Sequence, residues 1–463
     1  MMYALPLSVL MIAATFSPAL AQPPRQAEEA APPALVAQQH GQAAAARAII
    51  ESWRASGEGD VQGDRPLIVT LFTGSDTDPA PEYRERLTRT MHHIQQFYAD
   101  EMERHGFGPL TFGLETEDDG LIKVRVVRGD RPNAEYNGDH GREIRGIVNR
   151  ALAEEEINGV QRTVVIFCNL TVWDPERRTM RHHSPYYAIG SSREGIAWQL
   201  DSALLDAAEL ENTDRDQYLR DGQYGRISLG RYQSIFVGGT CHELGHAFGL
   251  PHNKERADER ALWGTALMGS GNRTYGEELR GEGPGSFLTL AHAMKLAVHP
   301  SFSGSVRDMN RRPRGGFAAF DFEPIDDNKG VRLTGQIESD IPVHAVIAYL
   351  DPEGGSDYNA TTHVAVPDDE GNIAFDCTAF AGERGQVRIV AVYANGWANF
   401  SEDFHLEYRR NGAGQVEVRL PERRGGRRGA LPKPLGEDAF YGTQPVEDAM
   451  PEPCPHCAGI HQD

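Results

Sequence analysis

The chain has 463 residues, of which 40% are hydrophobic and 24% charged, and its 67 acidic against 46 basic side chains leave a net charge of −21. This is the composition of a soluble globular protein with room for two or three domains of about 150 residues. So negative a surface excludes nucleic acid and an anionic membrane as its main partner. At the N-terminus an apolar run from Ala4 to Phe16 precedes Ala19-Leu20-Ala21, the form of an export signal over residues 1–21, although Met1 to Tyr3 carry no basic side chain. The run is too short to span a bilayer. A mature chain that begins near Gln22 and resides outside the cytoplasm, secreted or periplasmic, is expected. Residues 22–63 are rich in Ala, Pro, Gln and Glu and read as a linker or pro-segment, with a helix through Ala43 to Trp53 that has little else to pack on.

The periodicity from residue 64 onward predicts a catalytic-sized domain over residues 64–305. Leu67 to Phe72 is a continuous apolar run of strand length, ended by Gly74. Leu87, Met91, Ile94, Tyr98 and Met102 then recur at helical steps up to Gly106, and His92 and His93 on that helix read as solvated rather than as ligands. A β segment at Ile122 to Val127, a helix over Glu143 to Glu156 and a buried strand at Thr163 to Leu170 follow. Strands alternating with helices imply a mostly parallel sheet. Tyr187–Gly190 and Ile196–Gln199 are short strand candidates, and the charged tract from Asp201 to Gly230 reads as a surface insertion.

The chemistry is concentrated in Cys241-His242-Glu243-Leu244-Gly245-His246-Ala247-Phe248-Gly249-Leu250-Pro251-His252. His242 and His246 are one helical turn apart, so both imidazoles project from one face and can grip one ion. Glu243 beside them has the placement of a general base for a metal-bound water. Gly249 stops the helix, and the reversed chain can return His252 as a third ligand. Three nitrogens leave a fourth position for water, as a catalytic zinc requires. The consecutive Gly238 and Gly239 cost the preceding helix about 2 kcal/mol relative to alanine and imply close packing. Cys168 and Cys241 are open to two readings, a disulfide or two buried thiols.

The pattern H-E-x-x-H-x-x-G-x-x-H, followed by Ala266-Leu267-Met268, resembles the metzincin zinc metallopeptidases with their Met-turn. The resemblance implies a mixed α/β zincin-like catalytic domain, Zn2+ as cofactor on His242, His246 and His252, Glu243 as catalytic base, and Met268 as an apolar floor. It implies further that an edge strand above the zinc pairs with an extended protein or peptide substrate. No cysteine precedes Cys168, which excludes a cysteine-based latency switch in the N-terminal segment. Asn253, after the third histidine, and Ser270, two residues past Met268, match no one subfamily. Tyr275 reads as a wall residue, and Phe287 to Ala297 as the closing helix, with His292 and His299 structural. Two other functions share such a site. One is a zinc-bearing adhesion or carbohydrate-binding protein on a non-proteolytic scaffold, against which the intact Glu243 counts; the other is a zinc hydrolase of non-protein amides or esters.

Residues 306–328, with the Pro/Arg/Gly-rich stretch Arg311 to Gly316, read as a linker. Over residues 329–421 the segments 331–337, 343–350, 373–377, 387–393 and 416–420 alternate apolar and polar at strand length, with turn signals between them. They predict an all-β sandwich similar in outline to fibronectin type III or immunoglobulin modules. Such a module extends the enzyme or holds a substrate, a glycan or a cell surface. The tail 422–463 reads as disordered. Its Cys454-Pro455-His456-Cys457 and His461 favour a local disulfide or free thiols over a second zinc, because one pair cannot complete a tetrahedral site.

Overall fold

The structure, a computed structural model, describes residues 33–56, 61–62, 65–304, 306–325, 330–353, 357–399 and 405–419. The expected signal over residues 1–21 and the tail 422–463, with its Cys454 and Cys457, lie outside the described residues. In chain order come α1 (Pro33–Ala55), β1 (Ile68–Thr73), α2 (Tyr83–Arg104), β2 (Val124–Arg128), α3 (Gly141–Glu154) and β3 (Thr163–Cys168). Three hairpins follow, β4 (Thr171–Asp174) with β5 (Thr179–His182), β6 (Tyr187–Gly190) with β7 (Gly195–Leu200), and β8 (Tyr218–Asp221) with β9 (Gly225–Ser228). Then come α4 (Leu229–Ala247), α5 (Ala257–Trp263) and α6 (Leu290–Leu296).

The main sheet has the order β2-β1-β3-β7-β6; its first four strands are parallel and β6 is an antiparallel edge. The absence of alternation in β1 and β3 has a direct cause, since every residue of both is buried between helices. Ile68 and Phe72 of β1 face Ile144, Ile147, Val148 and Leu152 of α3. Val69 and Leu71, on the opposite face, join Leu87, Met91, Ile94 and Met102 of α2 and Leu244 of α4. Arg86 of α2 and Asp201 at the end of β7 form a two-pronged ion pair, with contacts of 3.1 and 3.3 Å, and are 4% and 0% exposed. The charged tract after Asp201 holds more than a surface insertion. Its hairpin β8–β9 joins β4–β5 in a second sheet of order β9-β8-β5-β4, and Asp221 Oδ1 closes the turn by accepting from the backbone N–H groups of Gln223 and Tyr224.

The C-terminal region contains β10 (Gly315–Ile325), β11 (Gly330–Ser339), β12 (Val343–Pro352), β13 (Thr361–Ala365), β14 (Asn372–Cys377), β15 (Arg384–Tyr393), β16 (His405–Arg410) and β17 (Val416–Arg419). They form two sheets, β10-β11-β14 and β13-β12-β15-β16-β17, with Leu333, Ile373 and Phe375 packed against Val346, Ala348, Leu350, Val387 and Ile389 between them. The second sheet is buried on both faces along β12 and the C-terminal half of β15. Ala345, Ile347 and Tyr349 of β12 and Val390 and Val392 of β15 enter the core of the N-terminal part, so the alternation expected over Val343 to Leu350 is not found and the strand is apolar on both sides apart from His344.

Two expectations are corrected. Residues 306–328 are no simple linker, because Gly315–Ile325 is an eleven-residue strand paired along β11. The alternating Phe320-Asp321-Phe322, which packs one side on the sandwich core, was masked by the neighbouring Pro, Arg and Gly. The helix expected over Ala43 to Trp53 spans Pro33–Ala55 and does have a partner. Its Ala43, Ala46 and Ile50 enter the main core, and Trp53 enters the sandwich core, donating Nε1–H to Arg307 O at 3.4 Å under the Arg307 guanidinium. Val61–Gln62 then pairs with Val306–Arg307, so the N-terminal segment straps both halves together. Among the described residues no helix is long and apolar enough to cross a membrane.

Candidate metal centre

Helix α4 carries His242 and His246 one turn apart and ends at Phe248, beyond which Gly249 takes a φ of 76°. That left-handed turn reverses the chain. A side chain there would also strike the backbone of Ser191 and Ser192, in the turn between β6 and β7. A Cβ at Gly190 or Gly195 would in turn meet Ala247 O, so the edge hairpin rests directly on the end of the helix. The reversal returns His252, and candidate ligand atoms of His242, His246 and His252 all lie within 4.8 Å of one another, with the His246 and His252 Nε2 atoms 2.9 Å apart.

Two of the three rings are oriented by backbone carbonyls. His242 Nδ1 lies 2.7 Å from Leu267 O and His246 Nδ1 2.8 Å from Leu250 O. A carbonyl only accepts, so Nδ1 carries the proton and Nε2 keeps its lone pair for a metal. Burial, reinforced by the neighbouring His242 and His252, holds His246 well below its ordinary pKa and therefore neutral. Three convergent imidazoles, two of them with fixed tautomers, form a donor set that suits Zn2+ and leaves room for a further ligand.

Glu243 is 1% exposed and adjoins His242 on α4. Met268 is fully buried, and a Cβ at Gly245 would collide with its Sδ, which puts the thioether against the turn of helix between His242 and His246. The Met268 turn is tied to the third histidine by its neighbour. Asn253 N–H donates to Met268 O at 3.2 Å, and the Asn253 side-chain amide donates to Thr289 Oγ1 at 2.8 Å. Asn253 therefore belongs to the frame of the site. Gly238 packs on Tyr275 and Asn272, and Gly239 on the Tyr186 hydroxyl, as the paired glycines implied. Tyr275 is buried and contacts His93 and Phe97 edge-on or tilted, so it is a wall residue. Cys168 and Cys241 are free buried thiols. His299 caps a short helix by accepting from Ser301 N–H, and His292 is buried on α6 with neither ring nitrogen hydrogen-bonded. Lys295 Nζ donates to Gly249 O at 2.6 Å, and its burial lowers its pKa to about 7.

One neighbour of the site was not legible. Tyr358, on the turn between β12 and β13, stacks on His252 with ring centroids 3.5 Å apart and planes 24° from parallel. No pattern in the sequence joins the two residues.

Residues 74–257, which include the three histidines and Glu243, match the model of a family described as "Putative peptidase family". No protein of curated function matches the chain. Among solved structures, catalytically inactive OgpA from Akkermansia muciniphila in complex with an O-glycopeptide substrate, glycodrosocin, is 23% identical with a TM-score of 0.64, covering 78% of this chain and 96% of that one. Wild-type OgpA in two crystal forms is 24% identical with a TM-score of 0.62 and the same coverage. These likenesses show that this chain shares its fold with OgpA over 78% of its length. The family match supports a peptidase.

Proposed function

We propose that this chain is an exported zinc-dependent endopeptidase of metzincin type that hydrolyses peptide bonds in O-glycosylated peptides. The observation that carries the peptidase reading is the convergence of His242, His246 and His252 beneath an antiparallel edge strand seated on the end of the ligand helix. The resemblance to a fold whose inactive form holds an O-glycopeptide supports the substrate class. The export signal in residues 1–21 supports the location.

His242, His246 and His252 would hold a zinc ion, which when bound would supply Lewis acidity toward the scissile carbonyl and the attacking water. The remaining work falls to the chain itself. Strand β6 offers main-chain groups along its free edge, which hold an extended peptide whatever its side chains. Glu243 takes the proton from the attacking water and passes it to the leaving amine. Met268 and the carbonyls of Leu267 and Leu250 keep the imidazoles in place.

The test pairs one peptide with and without an O-linked sugar and exposes both to wild type, Glu243→Gln and chelator-treated enzyme. We expect cleavage of the glycosylated peptide by untreated wild type, and loss of about 10²–10⁴-fold in rate for Glu243→Gln with zinc still bound. Equal cleavage of both peptides would remove the glycan from the proposal, and cleavage that survives Glu243→Gln would remove the mechanism.

A further inference from the structure

We infer that Tyr358 of the C-terminal sandwich is a positioning residue for the metal centre, its ring clamping the face of His252 so that the module completes the active site. The inference rests on reading the three histidines as metal ligands. His242 and His246 belong to a helix and are each fixed through Nδ1 by a carbonyl. His252 lies beyond the Gly249 reversal on a segment, Leu250 to Arg256, with no regular structure. Its ring is met face to face by Tyr358, 3.5 Å away between centroids, while the same tyrosine lies parallel to His242 at 6.4 Å and 11°. Stacking engages the π face of an imidazole, whereas its nitrogen lone pairs lie in the ring plane. The contact therefore restrains the ring and leaves its donor nitrogen available.

The tyrosine is itself held in register with the ligand segment. Lys254 N–H donates to Ala360 O at 2.6 Å, and Arg256 Nη1 donates to Thr362 O at 2.8 Å, so the stretch after His252 is cross-tied to the stretch after Tyr358. The turn bearing Tyr358 lies between β12, buried from Val343 to Leu350, and β13. Restraint of a ligand ring by an outer partner affects metal affinity because a ring already in place needs no ordering when the ion binds.

The full-length chain, Tyr358→Phe, Tyr358→Ala and Tyr358→Leu are compared for zinc affinity by competition with a chromophoric chelator, for the visible absorption of the cobalt(II)-substituted protein, and for peptide cleavage. Tyr358→Leu keeps apolar bulk without a stackable ring and serves should the alanine variant fail to fold. We expect the alanine or leucine variant to bind zinc about 10–100-fold more weakly and to change the cobalt spectrum, with Tyr358→Phe restoring both. Unchanged zinc affinity and cobalt spectrum in the variants without the ring would overturn the inference. So would a Tyr358→Phe variant that binds zinc normally but loses turnover, which assigns the work to the hydroxyl, or a Tyr358→Ala variant more active than wild type, which marks a cap. Glu243→Gln runs alongside. Wild-type cleavage by that variant sinks the glutamate-base mechanism, and a zinc-loaded wild type that cleaves no peptide sinks the peptidase reading, while in both cases the zinc affinities still judge Tyr358; a wild type that binds no zinc sinks both.

Discussion

His242, Glu243 and His246 were legible as a set because a helix translates spacing directly into direction, about 3.6 residues to a turn, and His252 joined them through the reversal that follows. Gly249 was legible for the same local reason, since only glycine enters its φ of 76° cheaply. Gly245 was not, because its constraint comes from a distant side chain. A methyl group there would press on the buried Met268 thioether beneath the ligands. We expect Gly245→Ala to destabilise the protein by about 1–3 kcal/mol through overpacking, and to weaken zinc binding as well, measured by thermal melting with and without the metal. A variant as stable as wild type would show that Met268 has room to move and that the floor is soft.

At the scale of elements, the central strands and helices followed from periodicity within a few residues, while elements whose burial depends on partners far along the chain did not. Strand β10 hid beside a Pro/Arg/Gly stretch, and α1 seemed partnerless because its partners, β12 and α6, lie hundreds of residues away. The packed position of α1 carries an expectation. Trp53→Ala should cost about 3–5 kcal/mol, read from the urea midpoint, and removal of residues 22–63 should destabilise both halves rather than release activity. Activation by that truncation would restore the pro-segment reading. The Arg86–Asp201 pair offers a second case. Arg86→Met leaves a fully buried carboxylate without its cation and should cost about 3–5 kcal/mol, whereas Arg86→Met with Asp201→Leu should recover much of that loss.

At the scale of the whole molecule, buried histidines set the response to acid. Burial, with help from Arg104 at His105 and from Arg65 and Lys295 at His299, lowers both to about 3, and burial lowers His344 to about 4. The ordinary value is 6.5, so between 6.5 and these folded values the unfolded chain binds protons that the native chain refuses. Stability then rises with pH across that window and falls as the solution is acidified below about 6.5. Burial raises the carboxyls of Asp201 and Glu259, which act with the opposite sign. Comparing wild type with His105→Gln cancels them, and the variant should lose less stability between pH 7 and pH 5. An identical slope would show that His105 takes up its proton at the same pH in the native and the unfolded chain.

By itself the sequence determined that His242 and His246 share a helix face and that the chain reverses before His252, and it determined the two kinds of architecture, because each rests on local rules: helical spacing, apolar run length and turn composition. Only the tertiary structure decided that the sandwich and the N-terminal helix belong to the same packed body as the three histidines. It did so through the two-sided burial of β12, the seat of Trp53 against Arg307, and the stacking of Tyr358 on His252. Those contacts join residues that no periodicity links. They form because apolar faces must be covered, and which surface covers which is settled only when the whole chain has folded.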